Sequence, residues 1–121
     1  MKNELSDQEL ETYSRQVVLA DIGYDGQVKL RNAKICLIGV GGLGAPVALK
    51  LAGMGIGYLR IVDRDIVSRS DLHRQYLYDA QCVGQPKVEV AWRKLSRLNP
   101  DVQLDPVPES LNSINAEELI E

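Results

Sequence analysis

Residues 34–63 read KICLIGVGGLGAPVALKLAGMGIGYLRIVD, and they carry the main evidence for the fold class. It opens with an apolar run, 35–38, that a glycine ends, which is typical of a fully buried parallel strand. The mostly apolar segment 45–54 predicts a helix. A second run that is mostly apolar, 58–62, predicts another buried strand, and Asp63 follows it. Strand, helix and strand in this order indicate one half of a doubly wound α/β sheet.

The glycines between the first strand and the helix have the spacing G-x-G-x-x-G, at Gly39, Gly41 and Gly44. The first allows a tight turn, and the second lets the backbone approach a phosphate because it has no Cβ. The third allows the helix to pack closely. The helix start offers unpaired N–H groups to an anion, and Asp63 can accept two hydrogen bonds from a ribose diol. The pattern therefore predicts a nucleotide-binding site.

The composition is that of an ordinary globular protein and predicts one domain over residues 1–121. We divide it into a helical lead-in, 1–32, and an α/β half, 33–121. The net charge of -3 argues against a nucleic-acid partner, and no apolar run suits a membrane span. The polar N-terminus does not resemble a secretory leader, which favours a cytoplasmic location. Cys36 and Cys82 form neither a disulfide framework nor a metal motif.

Outside the central stretch, the periodicity predicts helices over 6–20, 27–31 and 87–98, a third strand over 102–107 and a helix from 115. Arg15 lies off the apolar stripe of the first helix, which indicates a solvated side chain. Trp92 lies on the stripe of the third and is predicted to be a core residue. The three strands are expected in the spatial order three-two-one. The free edge of the first strand then needs a cover, from further chain or from a partner.

Residues 64–87 have neither helical nor strand periodicity. A loop of this length inside a compact domain is usually functional. It follows the carboxyl end of the second strand, where ligands bind in open α/β sheets. Its cations, Arg64, Arg69, Arg74 and Lys87, predict contacts with an anionic ligand.

Five motifs in register resemble those of the ThiF/MoeB/HesA family, the prokaryotic relatives of ubiquitin-activating enzymes. They are YSRQVVL at 13–19, GVGGLG at 39–44, DRD at 63–65, SDLHRQ at 70–75 and VGQPK at 83–87. The resemblance implies a Rossmann-like, three-layer α/β fold. The chain would be its N-terminal portion, a truncated half of a doubly wound, mainly parallel sheet with N-terminal helices.

The resemblance also implies an activity. Members of the family use ATP to activate the C-terminal Gly-Gly carboxylate of a ubiquitin-like sulfur-carrier protein as an acyl-adenylate, with release of pyrophosphate. They act as homodimers and use Mg²⁺. The magnesium-binding aspartate and the zinc-binding cysteine pairs of the family correspond to positions beyond Glu121, so no metal ligand is expected in this chain.

Carried over by motif, the resemblance gives catalytic roles to three cations. Arg74 is the main phosphate contact, Lys87 is the second, and Arg15 reaches across the dimer to the partner's phosphates. In addition to Arg74 and Lys87, the expected nucleotide-binding residues are Gly39, Gly41, Gly42, Gly44, Asp63, Asp65, Ser70, Asp71, Leu72, His73 and Gln75. One residue departs from the family pattern, because Asp71 stands where asparagine is usual. An extra carboxylate repels phosphates unless it is protonated or helps to hold a metal.

Two alternatives remain open on the sequence. The glycine motif followed by Asp63 also suits an NAD-dependent oxidoreductase. A non-catalytic module for nucleotide binding or dimerisation would keep the same motifs. The segment 70–87 discriminates between the ATP-dependent adenylyltransferase and the NAD-dependent oxidoreductase. A dinucleotide pyrophosphate does not require arginine and lysine in addition to the glycine turn.

Overall fold

The computed structural model describes residues 4–73, 75 and 77–121. Its three strands, β1 (Lys34–Ile38), β2 (Tyr58–Val62) and β3 (Gln103–Val107), form one parallel sheet in the order β1-β2-β3. The register pairs Cys36 with Arg60, and Arg60 with Asp105. The predicted spatial order is therefore confirmed.

The helices pack around this sheet and follow one another along the chain in the predicted order. Three precede it: α1 (Asp7–Thr12), α2 (Ser14–Val17) and α3 (Gly23–Asn32). Helix α4 (Gly44–Met54) joins β1 to β2, α5 (Lys87–Leu98) joins β2 to β3, and α6 (Ala116–Ile120) follows β3. Between β2 and α5 lie two short 3₁₀ turns, Arg69–Asp71 and Ala80–Cys82. Within the described part of the chain, a bilayer-spanning helix is absent.

The predicted helix over 6–20 is divided in two. The backbone of Tyr13 leaves the helical region, with φ -104° and ψ 18°, and this ends α1. The Tyr13 side chain is buried, and its hydroxyl accepts a hydrogen bond from Asn99 Nδ2 at 2.7 Å. Asn99 Nδ2 also donates to the carbonyl of Ala52 at the C-terminal end of α4. The lead-in is thus tied to the end of α4.

The apolar core lies on one face of the sheet. Leu59 and Ile61 of β2 are completely buried there, and each contributes about 1.5–3 kcal/mol by burial. They pack in one cluster with residues of α4 and α5, among them Ala48, Ala52, Val88, Ala91 and Leu95. The opposite face carries Arg60, whose Nη1 donates to the carbonyl of Leu119 in α6 at 2.8 Å. Helices on both faces give the expected three layers.

The prediction that Trp92 belongs to the core is wrong, because its side chain is 45% exposed. The buried face of α5 includes Lys87 and Val90 in addition to Val88, Ala91 and Leu95. The centre of the buried face, as these positions define it, is turned away from Trp92. Trp92 therefore lies at the edge of that face. Spacing alone could not show this, because the buried lysine breaks the apolar pattern.

Candidate functional site

The glycine turn, residues 39–44, connects β1 to α4, and two of its glycines are required by the protein itself. Gly39 has a φ of +91°, in the left-handed region that favours glycine. Its N–H donates to the carbonyl of Val62 in β2 at 2.8 Å. A Cβ on Gly44 would lie 1.9 Å from the Gly39 carbonyl oxygen. The start of α4 therefore packs against the turn at a distance that only glycine permits.

The outer part of the glycine turn is open. A Cβ on Gly42 would meet nothing within 4 Å, and one on Gly41 would have Gln75 Oε1 as its nearest neighbour, at 3.6 Å. Helix α4 begins after Leu43 without a side-chain cap. The positive end of the dipole of this 11-residue helix therefore faces an open turn. This is the arrangement in which helix N-termini bind phosphates.

Asp63 connects the glycine turn to the end of β2. Its Oδ2 accepts a hydrogen bond from the Val40 N–H at 3.0 Å, and its Oδ1 accepts one from the Asp65 N–H at 2.8 Å. A carboxylate oxygen can accept more than one hydrogen bond. Asp63 can thus hold the turn and still accept hydrogen bonds from a ribose.

Tyr78 is a positioning residue that the sequence analysis missed. Its hydroxyl donates to the carbonyl of Val40 at 2.5 Å, so that Val40 is held through both its N–H and its C=O. Burial raises the pKa of the Tyr78 phenol, and the Asp63 and Asp71 carboxylates raise it further. The phenol is therefore a neutral donor at ordinary pH. A tyrosine in an aperiodic loop gives no sequence signal for this role.

The loop 64–87 closes on itself close to the end of β2. Ile66 and Pro86 form an antiparallel bridge, and the Val67 N–H donates to the carbonyl of Gln85 at 2.9 Å. The Lys87 N–H donates to the carbonyl of Asp65 at 3.0 Å. These backbone contacts bring the start of α5 beside the Asp63 end of the sheet.

Lys87 places an ammonium group in this region, with its side chain only 6% exposed. The Nζ atom lies 3.6 Å from Asp71 Oδ2, 3.9 Å from Asp65 Oδ2 and 5.9 Å from the centre of the Tyr78 ring. Both carboxylate distances exceed that of a charge-assisted hydrogen bond. None of the hydrogen bonds among the described residues uses this ammonium. Its donors are thus available to an anionic ligand.

Asp71 and Gln75 form a buried polar pair next to Lys87. Asp71 Oδ1 accepts from Gln75 Nε2 at 2.9 Å, and Asp71 Oδ2 accepts from the Ser68 N–H at 2.9 Å. Gln75 is 3% exposed, and its Oε1 has no hydrogen-bond partner among the described residues. Protonation and a bound metal are the two kinds of relief that the sequence suggests for the Asp71 charge. The structure adds a third, an ion pair with Lys87. No cluster of three or more metal-ligating side chains occurs in the described part of the chain.

The remaining loop residues have varied surroundings. Ser70, His73 and Asp65 are exposed, whereas Leu72 packs against the apolar core. The Ser70 hydroxyl lies 3.0 Å from that of Ser68. Arg74 lies outside the described residues, so its predicted contact with phosphates stays a prediction.

Arg15 is exposed on α2, away from the glycine turn of its own chain. The adjacent Gln16 donates through Nε2 to the carbonyl of Met54, the last residue of α4. The glycine turn lies at the other end of this helix, about 16 Å away for 11 residues at 1.5 Å each. Within one chain, the structure therefore does not bring Arg15 together with Lys87 and Asp63.

The sequence that forms this site also matches a known protein family. A family model described as the ThiF family matches residues 13–121. The chain belongs to the ThiF family. The resemblance predicted from the five motifs is thus confirmed, and ThiF membership accounts for the glycine turn and the loop 64–87 occurring together.

Two bacterial relatives show what share of a longer protein this chain matches. The sulfur carrier protein ThiS adenylyltransferase of Escherichia coli is 44% identical over 107 residues, which are 88% of this chain and 43% of that protein. The molybdopterin-synthase adenylyltransferase of Salmonella typhimurium is 46% identical over 104 residues, 86% of this chain and 42% of that protein. The chain therefore spans less than half the length of these relatives.

A solved structure supports the ThiF fold. The tRNA N6-threonylcarbamoyladenosine dehydratase of Escherichia coli, in complex with ATP, superposes with a TM-score of 0.87 at 27% identity. The match covers 93% of this chain and 46% of that one. The predicted Rossmann-like α/β fold is confirmed.

Proposed function

We propose that this chain forms the nucleotide-binding part of an ATP-dependent adenylyltransferase. The whole protein would activate the C-terminal Gly-Gly carboxylate of a ubiquitin-like sulfur-carrier protein as an acyl-adenylate. The names of the two bacterial relatives support this activity. The observation that carries the proposal is the buried Lys87 ammonium, whose donors are available in the part of the fold that holds the open glycine turn.

The residues of the site suit adenylyl transfer. When the carrier carboxylate attacks the α-phosphate, pyrophosphate leaves and negative charge is spread over phosphate oxygens. Groups that position the phosphates and neutralise this charge accelerate such a step. We assign the phosphates to the glycine turn, Lys87 and Arg74, and the ribose to Asp63.

The reaction requires no nucleophile from this chain, and neither cysteine is suited to be one. Burial raises the pKa of the Cys36 thiol, and Cys36 lies within β1. Cys82 is buried and donates through Sγ to Asp79 Oδ1 at 3.3 Å. The carboxylate of the carrier is the attacking group instead.

Mg²⁺ is the usual counter-ion of ATP, and the family resemblance includes it. The described residues of this chain do not form a ligand cluster for it. We therefore assign no step of the reaction to the metal in this chain.

We also propose that the protein is a cytoplasmic homodimer in which Arg15 of one copy approaches the phosphates of the other. The exposure of Arg15 at the far end of α4 supports this arrangement. Val18 and Leu19, close to Arg15, are 80% and 53% exposed, as expected for a surface that a second copy covers. Light scattering should give twice the monomer mass. An equimolar mixture of an Arg15→Ala variant and a Lys87→Ala variant should restore about a quarter of the wild-type activity, because about half of the dimers are then mixed and each mixed dimer has one intact site of two.

Calorimetry and isotope exchange test the proposal. The purified protein should bind Mg-ATP more tightly than NAD, and it should catalyse ATP–pyrophosphate exchange in the presence of its carrier. Lys87→Ala should weaken ATP binding by about 10- to 100-fold, the effect of losing one charge-assisted hydrogen bond. Lys29→Ala, an exposed lysine on α3, is the matched control and should bind ATP like the wild type.

Other outcomes identify other functions. Binding of NAD without ATP would exclude the adenylyltransferase and favour the oxidoreductase. Binding of ATP without exchange, in the presence of the carrier, would indicate a non-catalytic nucleotide-binding module.

A further inference from the structure

Asp71 contacts two other buried polar groups of the candidate site. It pairs with the Lys87 ammonium at 3.6 Å and accepts a hydrogen bond from Gln75 Nε2 at 2.9 Å. We propose that Asp71 is an internal counter-ion of the nucleotide site, with which the phosphates of an incoming nucleotide must compete for Lys87. The proposal rests on the proposed function, because it concerns how tightly that site binds ATP.

The contacts of Asp71 show why competition arises. Its Oδ2 accepts from both the N–H and the hydroxyl of Ser68, at 2.9 and 3.2 Å. These bonds hold the carboxylate in place when Lys87 turns toward a ligand. The ion pair at 3.6 Å is longer than the 2.7–2.9 Å typical of an ammonium hydrogen-bonded to an oxyanion. A phosphate oxygen can therefore displace Asp71 from Lys87, but Asp71 remains nearby as a second anion.

Burial makes this competition effective. The side chains of Lys87 and Asp71 are only 6% and 8% exposed. Solvent and salt screen such charges much less than they screen charges at the surface. In the nucleotide complex Lys87 must consequently neutralise the buried Asp71 in addition to a phosphate, which lowers the affinity for phosphates.

Gln75 gives a second effect in the same direction. A carboxylate only accepts hydrogen bonds, so Asp71 requires the Nε2 of Gln75 to face it. The Oε1 of Gln75 is then left without a partner among the described residues, near Gly41. This acceptor suits a ligand hydroxyl, amine or bound water, and it repels a phosphate oxygen. With asparagine at position 71, the amide of Gln75 is able to turn over and direct a donor toward the glycine turn.

Titration of Asp71→Asn with ATP, AMP and adenosine tests the inference. The variant should bind ATP about fivefold more tightly than the wild type, about 1 kcal/mol, since Asp71 then no longer competes with the phosphates for Lys87. The gain should be smaller for AMP and absent for adenosine. Asp101→Asn is the matched control, because it removes the same charge from the turn that precedes β3, at the opposite end of the sheet.

The Lys87→Ala background separates competition from simple repulsion. If Asp71 acts by occupying Lys87, the gain from Asp71→Asn should fall to less than half when Lys87 is absent. A gain of half or more in the Lys87→Ala background would show that Asp71 repels the phosphates directly, and it would overturn the proposal. Unchanged or weaker ATP binding by Asp71→Asn would also overturn it, while leaving the proposed function intact. If neither the wild type nor the variant binds ATP, both are wrong.

A crystal structure of the wild type with ATP gives a test that does not depend on a variant folding. Lys87 Nζ should move onto a phosphate oxygen at about 2.8 Å, and Asp71 should keep its bonds to Ser68. An ammonium that stays on Asp71 in the ATP complex would contradict the proposal.

Discussion

The two walls of the candidate site are built in different ways. The glycine wall, residues 39–44, is defined by its backbone, with a left-handed Gly39 and a Gly44 whose Cβ would lie 1.9 Å from the Gly39 carbonyl oxygen. The loop wall, residues 64–87, depends on side chains, because Asp71, Gln75 and Lys87 contact one another there. A backbone wall tolerates almost no substitution at the positions where its geometry requires glycine. A side-chain wall can change its charge while the fold is kept.

The two walls meet at Val40. Asp63 accepts from its N–H, and Tyr78 of the loop wall donates to its carbonyl. The shape of the glycine wall is therefore partly held by the loop. If the walls differ as described, substitutions should affect stability most at the close contact of Gly44 in the glycine wall, less at this junction, and least at Gly42, where the turn is open.

Gly44→Ala should have the largest effect. Its Cβ would lie 1.9 Å from the Gly39 carbonyl oxygen, and backbone at that position cannot move without displacing β1 or α4. We expect a loss of about 4 kcal/mol or more in the free energy of unfolding, at the upper end for single substitutions. Urea unfolding followed by circular dichroism measures it.

The control for Gly44→Ala lies in the same helix. A Cβ on Gly53 would meet nothing within 4 Å, so Gly53→Ala should stabilise the protein by about 0.5–1 kcal/mol through helix propensity. Similar stabilities for the two alanine variants would show that the close approach in the glycine wall is not needed.

Tyr78→Phe should have the next largest effect. It leaves the carbonyl of the fully buried Val40 without its donor, which costs about 1–3 kcal/mol. Because burial raises the pKa of Tyr78, its contribution to stability is fully present below the ordinary tyrosine pKa of about 10 and is lost as the pH rises above it. The difference in unfolding free energy between wild type and variant should therefore narrow from pH 7 to pH 11. A constant difference would show that the phenol is not held in its neutral form.

The contrast between the walls also explains what the sequence could predict. The glycine wall follows from local rules, since apolar runs indicate β1, β2 and α4, and the spacing of the glycines indicates the turn. These rules gave β2 with its observed ends, 58–62. They required no knowledge of distant contacts.

The loop wall could not be derived in the same way. Lys87 could be suspected as a phosphate contact from the motif resemblance, but its pairing with Asp71 depends on the bridge between Ile66 and Pro86. The role of Tyr78 likewise depends on a contact with Val40, far away in the sequence. Side-chain contacts that depend on the tertiary fold leave no periodicity in the sequence. For the same reason, the burial of Lys87 could not be predicted, and Trp92 was wrongly assigned to the core.

Gly42→Ala should have the smallest effect on stability and still impair the site. Its backbone is not in the left-handed region, and a Cβ there would meet no protein atom within 4 Å. The free energy of unfolding should thus change by no more than about 0.5 kcal/mol, as at an unconstrained surface position. If phosphates lie against the turn, the new methyl group occupies their space, and ATP should bind about tenfold more weakly by calorimetry, a loss of about 1.4 kcal/mol. Unchanged ATP affinity together with unchanged stability would mean that the open side of the glycine wall does not face the nucleotide.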